Sequence, residues 1–169
     1  MVPVIAFVGK HNSGKTTLLT KVIKELNNRG IEVGVIKHAH QNVEIPDAND
    51  SEKLFNAGAA VVYTDSPDIQ IIYARAKSEP VDEIIKKIAP TVDLIILEGY
   101  KTEPYPKIEV LRQEISQEPL PIDNVIARVL DFELKTESQV PEFNFDEVTR
   151  ISQFITDYII GYKNNLGRL

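Results

Sequence analysis

Near the start of the chain, Gly9-Lys10-His11-Asn12-Ser13-Gly14-Lys15-Thr16-Thr17 carries the spacing Gly, four residues, Gly-Lys-Thr. That spacing is the pattern of a phosphate-cradling P-loop. Glycine lets the backbone curl tightly around an anion, so that successive N–H groups point at phosphate oxygens. A helix opening at Lys15 would add the positive end of its dipole. Lys15 is expected to reach the β- and γ-phosphates, and the Thr16 hydroxyl to take one position on Mg²⁺. With glycine at about 7% of residues, chance produces the pattern in under about 1% of chains this long.

A second group with chemical potential is Asp93-Leu94-Ile95-Ile96-Leu97-Glu98-Gly99-Tyr100, an apolar run with an acid at either end. If this strand runs parallel to Val4–Val8, Glu98 lies at its carboxyl end beside the loop. Asp93 is then roughly 16 Å away, at 3.3 Å per residue. Glu98 is therefore the expected second partner of Mg²⁺, direct or through water, and a candidate for positioning an attacking water. Gly99 permits close backbone approach to a phosphate, and Lys101 follows on the same rim. The alternative for Glu98 is an acid in a solvated turn.

Lys37-His38-Ala39-His40 stands at the carboxyl end of a second strand, Ile31 to Ile36. Ligands of open α/β sheets bind outside the carboxyl ends of strands, so Lys37, His38 and His40 are candidates for a substrate or switch role. A polar loop with incidental histidines is an equal alternative. Asp50 is a further candidate, set against its plain role at a helix start. Asp131, after the buried-type run Val125 to Leu130, could accept hydrogen bonds from the guanine N1–H and N2 amino edge. A simple turn residue is the competing reading.

The elements that must position these groups follow from periodicity. Leu18, Leu19, Val22, Ile23 and Leu26 recur at helical spacing after the loop. Strand, loop, helix and strand make a right-handed βαβ unit. Val43 to Pro46 reads as a short strand. Ala59 to Thr64 and Ile69 to Ala74 flank Asp65-Ser66-Pro67-Asp68, a hairpin that would make the sheet mixed. Val81, Ile84, Ile85 and Ile88 form a second amphipathic helix. Lys107 to Arg112 alternates, as a half-exposed strand with a charged outer face would. Residues 133 to 144 read as polar loop, and Val148, Ile151, Ile155, Tyr158 and Tyr162 stripe a last helix over the sheet. The expected fold is α/β, P-loop NTPase-like, with a mixed, mostly parallel sheet flanked by helices and a β-hairpin extension, in one domain over 1–169.

The chain has 169 residues, 43% hydrophobic and 26% charged, with a formal net charge of −6 and no cysteine. Disulfides and thiolate metal sites are excluded. No basic cluster of the kind that tracks nucleic-acid phosphates is present, so nucleic acid is not an expected partner. No apolar run reaches transmembrane length, and the N-terminus lacks the pattern of a signal peptide, so a cytoplasmic setting is expected.

With these residues assembled, the chain resembles the molybdopterin-guanine dinucleotide biosynthesis protein B (MobB) family over nearly its whole length. The resemblance rests on Gly9 to Thr17, Val35-Ile36-Lys37-His38-Ala39-His40, Asp50-Ser51 with Ala57-Gly58-Ala59, Leu97-Glu98-Gly99-Tyr100-Lys101, and Lys107-Ile108 with Arg112. It implies a homodimer, GTP with Mg²⁺, slow GTP hydrolysis, and a supporting role in attaching GMP to molybdopterin. The transfer itself would fall to a separate nucleotidyltransferase of the MobA type. Molybdopterin is a second candidate ligand. Gln41, Asn42 and Phe55 depart from the family's usual histidine, acid and basic residue. No Asn-Lys-x-Asp motif is present, so the residues alone leave GTP and ATP open. A small-molecule P-loop kinase and a nucleotide-dependent, non-enzymatic binding module are the alternatives. No arginine finger is placed by the sequence, in keeping with slow turnover.

Overall fold

The computed structural model describes residues 2–39, 42–135 and 138–166. It divides into two compact units, Met1–His38 with Val81–Leu169, and Ala39–Pro80. The larger unit is built on β1 (Val4–Val8), whose five residues are all buried. The chain turns through the glycine loop into α1 (Lys15–Asn28) and returns as β2 (Val33–Lys37).

The smaller unit, taken by itself, holds α2 (Asp50–Asn56) and the hairpin β3 (Val61–Asp65) and β4 (Gln70–Ala74). Asn49 caps α2: its side chain accepts from the Glu52 N–H, and the Glu52 side chain returns to the Asn49 N–H. Val43 to Pro46 forms no strand. Proline denies that run a ladder donor, and the Ile45 carbonyl accepts instead from the Asn56 side chain at 3.1 Å. Phe55 is buried against Tyr73, with the Arg75 guanidinium 4.4 Å from its ring centre. The apolar preference at that position is thus met by packing within this unit.

The chain continues in the larger unit with α3 (Val81–Ile88), a 3₁₀ turn at Ala89–Thr91, and β5 (Leu94–Glu98). β6 (Lys107–Val110), β7 (Val125–Val129), β8 (Glu142–Phe143) and α4 (Val148–Leu166) complete it. The six strands run in the order β2-β5-β1-β6-β7-β8, and every pairing among them is parallel. The hairpin does not join this sheet. It pairs antiparallel with itself as a separate two-stranded sheet. β8, inside a stretch expected to be loop, is too short to show any period, yet it pairs with β7.

Side chains alternate across the sheet as strand geometry requires. Ile5 and Phe7 face the layer of α1 and α4, packing with Leu18, Val22, Leu26, Ile151 and Ile155. Val4, Ala6 and Val8 face the layer of α3, packing with Val81, Ile95 and Leu97. Among the described residues no helix is long and apolar enough to cross a membrane.

β6 departs from its expected half-exposed state, since all four of its residues are buried. Its charged residues are covered and satisfied. Glu109 is fully buried, and its carboxylate accepts from Arg128 Nε at 3.0 Å and from the Leu120 N–H at 2.6 Å. Arg128 also donates to Ser138 Oγ. Lys107 Nζ donates to the Glu103 and Tyr105 carbonyls at 2.7 and 3.0 Å. Burial, only partly offset by Asp123 and Glu103, holds this ammonium below its ordinary pKa. The Tyr105 hydroxyl in turn donates to Asp82 at the start of α3.

Two predictions follow from these anchors. Glu109→Ala leaves Arg128 without its buried partner, and should cost about 3–5 kcal/mol in denaturant unfolding. Tyr105 is pushed up to about 12 by burial, then by its bond to Asp82 and that residue's charge. The folded state therefore favours the neutral phenol. That contribution is intact below about pH 10, the unfolded value, and is lost as pH rises toward about 12. Burial also raises Tyr100 and Tyr158, so spectrophotometric titration of the phenolates should show late transitions, of which Tyr105→Phe removes the one near about 12.

Candidate functional site at the carboxyl rim of the parallel sheet

The rim is levelled by strand register. Phe7 on β1 and Lys37 on β2 both pair with Glu98 on β5. The carboxyl ends of three strands therefore meet at the start of the glycine loop. Asp93 stands at the far end, where it accepts from the Glu32 N–H and pairs with Lys163.

The loop's own conformation requires its glycines. A Cβ on Gly9 would lie 2.4 Å from the Val110 carbonyl oxygen and 2.7 Å from Ser13 Oγ. Gly14 caps α1 in the left-handed region, at φ 84°, where a side chain is strained. Asn12 is also left-handed, at φ 61°. Ser13 is buried, while Lys10, His11, Asn12, Thr16 and Thr17 are exposed. Lys15 Nζ folds over the loop and donates to the carbonyls of Gly9 (3.2 Å) and Lys10 (2.6 Å) and to Ser13 Oγ (3.3 Å). Burial first, then repulsion from Lys101, holds its ammonium below the ordinary lysine value; Glu98 opposes this and Lys37 adds to it.

The Thr16 hydroxyl donates to Glu98 Oε1 at 2.6 Å. The other carboxylate oxygen pairs with Lys37 Nζ at 3.4 Å. Two hard oxygen donors thus converge beside the loop, and Thr16 and Glu98 are the residues that would hold Mg²⁺ there. Among the described residues no cluster of three His, Cys, Asp or Glu could hold a metal alone.

Gly99, at φ 95°, turns the chain away from β5, and its N–H donates to the Phe7 carbonyl. Tyr100 follows at φ 55° and stacks on His38, with ring centres 5.0 Å apart. Lys37, His38, Gly99 and Lys101 therefore share the rim with Gly9–Thr17. His40 lies outside the described residues. Asp50 belongs to the smaller unit, where it is exposed in the first turn of α2 and pairs with Lys53 at 3.7 Å.

Asp131 lies beyond β7, with Oδ1 accepting from the Gln113 N–H at 2.8 Å and Oδ2 paired with Arg112 Nη1 at 3.2 Å. It lines a cleft of about 350 Å³ with Gly14, Thr17, Lys21, Arg112 and Phe145. Arg112 and Phe145 were not among the residues expected at a site. The rim rule that located Glu98, applied to β6, would have found Arg112, because it lies just past that strand's carboxyl end.

The family model for molybdopterin guanine dinucleotide synthesis protein B (MobB) matches residues 4–131. The chain is 34% identical to a Haemophilus influenzae protein named molybdopterin-guanine dinucleotide biosynthesis adapter protein, over 94% of this chain and 90% of that one. It is 31% identical to the Escherichia coli protein of the same name, over 94% of each. A crystal structure titled molybdopterin-guanine biosynthesis protein B superposes with a TM-score of 0.73 at 30% identity, covering 92% of this chain and 99% of that one. The expected P-loop NTPase-like architecture is therefore the observed one, and the chain belongs to the MobB family.

Proposed function

We propose that this chain is an adapter in molybdopterin-guanine dinucleotide biosynthesis that binds GTP with Mg²⁺ at the Gly9–Thr17 loop and hydrolyses it slowly. The observation carrying the nucleotide reading is the contact between Thr16 and Glu98, 2.6 Å apart beside a glycine-bounded loop closed by Lys15. The adapter role is supported by the names of the Haemophilus and Escherichia relatives.

In this reading the loop N–H groups and Lys15 stabilise charge on the β- and γ-phosphates. Thr16 and Glu98 would hold Mg²⁺, whose chemistry is to neutralise charge on those oxygens. Lys37 pairs with the second Glu98 oxygen and holds the carboxylate across the rim. Asp131 would accept from the guanine N1–H and N2 amino group. Slow hydrolysis fits a nucleotide that holds one conformation of the adapter while the pathway's nucleotidyltransferase is engaged. Molybdopterin would approach the exposed Lys37 and His38 side of the rim. Cytoplasmic work and a homodimer belong to the same reading. The hairpin of the smaller unit exposes Val61, Tyr63, Ile71 and Ile72, an apolar display that supports cover by a second copy.

Calorimetric titration with GTP, ATP and GDP, each with Mg²⁺, tests the nucleotide reading. GTP should bind more tightly than ATP, and Lys15→Ala should weaken it at least about tenfold. Single-turnover hydrolysis should stay below about 1 s⁻¹, under the kinase range, and Glu98→Gln should slow it further. No triphosphate binding, or equal affinity for ATP and GTP, would sink the assignment. For the assembly, light scattering should give the mass of a dimer, and Ile72→Glu should shift it toward monomer.

A further inference from the structure

The cleft beside α1 contains a side-chain arrangement that phosphate binding does not use. The Arg112 guanidinium carbon lies 3.7 Å from the Phe145 ring centre, so the planar group rests on the aromatic face. Nη1 is held by Asp131. Nη2 stands 3.0 Å from where a Cβ of Gly14 would be, which places the guanidinium against the first residue of the helix cap. The Arg112 and Asp131 side chains are 34% and 27% exposed, and both line the cleft with Thr17 and Lys21.

We infer that Arg112 is the residue that selects guanine at this site, its guanidinium fixed by Phe145 and Asp131 so that it donates to the purine O6 and N7. This rests on the nucleotide reading above. A triphosphate seated on the loop and the start of α1 extends its nucleoside past Gly14 and Thr17, into the cleft these residues line. At about 350 Å³ the cleft lies at the lower end of the size range of small-molecule sites. Arginine pairs bidentately with guanine O6 and N7. Asp131 has two of a carboxylate's roughly four acceptor positions engaged, which leaves capacity for the adjacent N1–H and N2 amino donors. Adenine would turn amino donors toward a cation and offers no adjacent donor pair to the carboxylate. Because the guanidinium is already held on two sides, little further ordering is needed when the base arrives.

The test uses the full chain and four probes with Mg²⁺: GTP, ATP, 7-deaza-GTP and inorganic tripolyphosphate. Arg112→Ala should weaken GTP about ten- to a hundredfold, bring GTP and ATP to similar affinities, and leave tripolyphosphate unchanged. Arg112→Lys should also lose the preference, because lysine lacks the planar fork. Wild-type protein should bind 7-deaza-GTP more weakly than GTP. The inference is overturned if Arg112→Ala keeps the GTP preference, or if tripolyphosphate affinity falls in step with GTP. It is equally overturned if wild type binds tripolyphosphate and GTP alike. A wild-type chain that binds no triphosphate would instead bring down the nucleotide reading on which this rests.

Discussion

The pairing of Phe7 and Lys37 with Glu98 across three parallel strands sets the level at which everything else on the rim operates. A parallel sheet brings strand ends together only if register holds, and a one-residue slip would turn the Glu98 side chain to the opposite face. Buried residues on both faces of β1 and β5 oppose such a slip. The carboxylate is therefore placed by hydrophobic packing several residues away. Thr16 and Lys37 then take up its two oxygens.

Charge at the rim is unevenly balanced. Lys15, Lys37 and Lys101 lie near enough that the second and third lower the proton affinity of the first, with Glu98 the countering anion. Such a group gains from an additional negative charge, and phosphate is well suited because it accepts many hydrogen bonds at once. The formal net charge of the whole chain is −6, so these lysines are a local exception to an acidic balance.

Much of this was legible in the sequence, for identifiable reasons. The loop and β5 are contiguous signals, and strand length alone separates Glu98 from Asp93. The charged residues of β6 misled because their partners lie elsewhere in the chain: Arg128 on β7, and the carbonyls of Glu103 and Tyr105. Two apolar runs around a turn announced the hairpin but carry no information on which sheet a hairpin joins. Arg112 and Phe145 meet only once β6 and the turn before α4 are folded, so no local pattern could pair them. β8 is two residues long and has no period to read.

The first glycine of the loop has a meaning beyond the proposed nucleotide contact. The atom a side chain would strike first is the Val110 carbonyl, at the end of β6. That strand shares a ladder with β1, so any larger residue at position 9 would wedge two central strands apart before altering the space above the loop. Gly9 thus serves the architecture as a spacer, and a defect there would surface as poor yield of folded protein. The loop's sensitivity to change thus has an origin in the closeness of neighbouring strands that is separable from any role in the proposed nucleotide site.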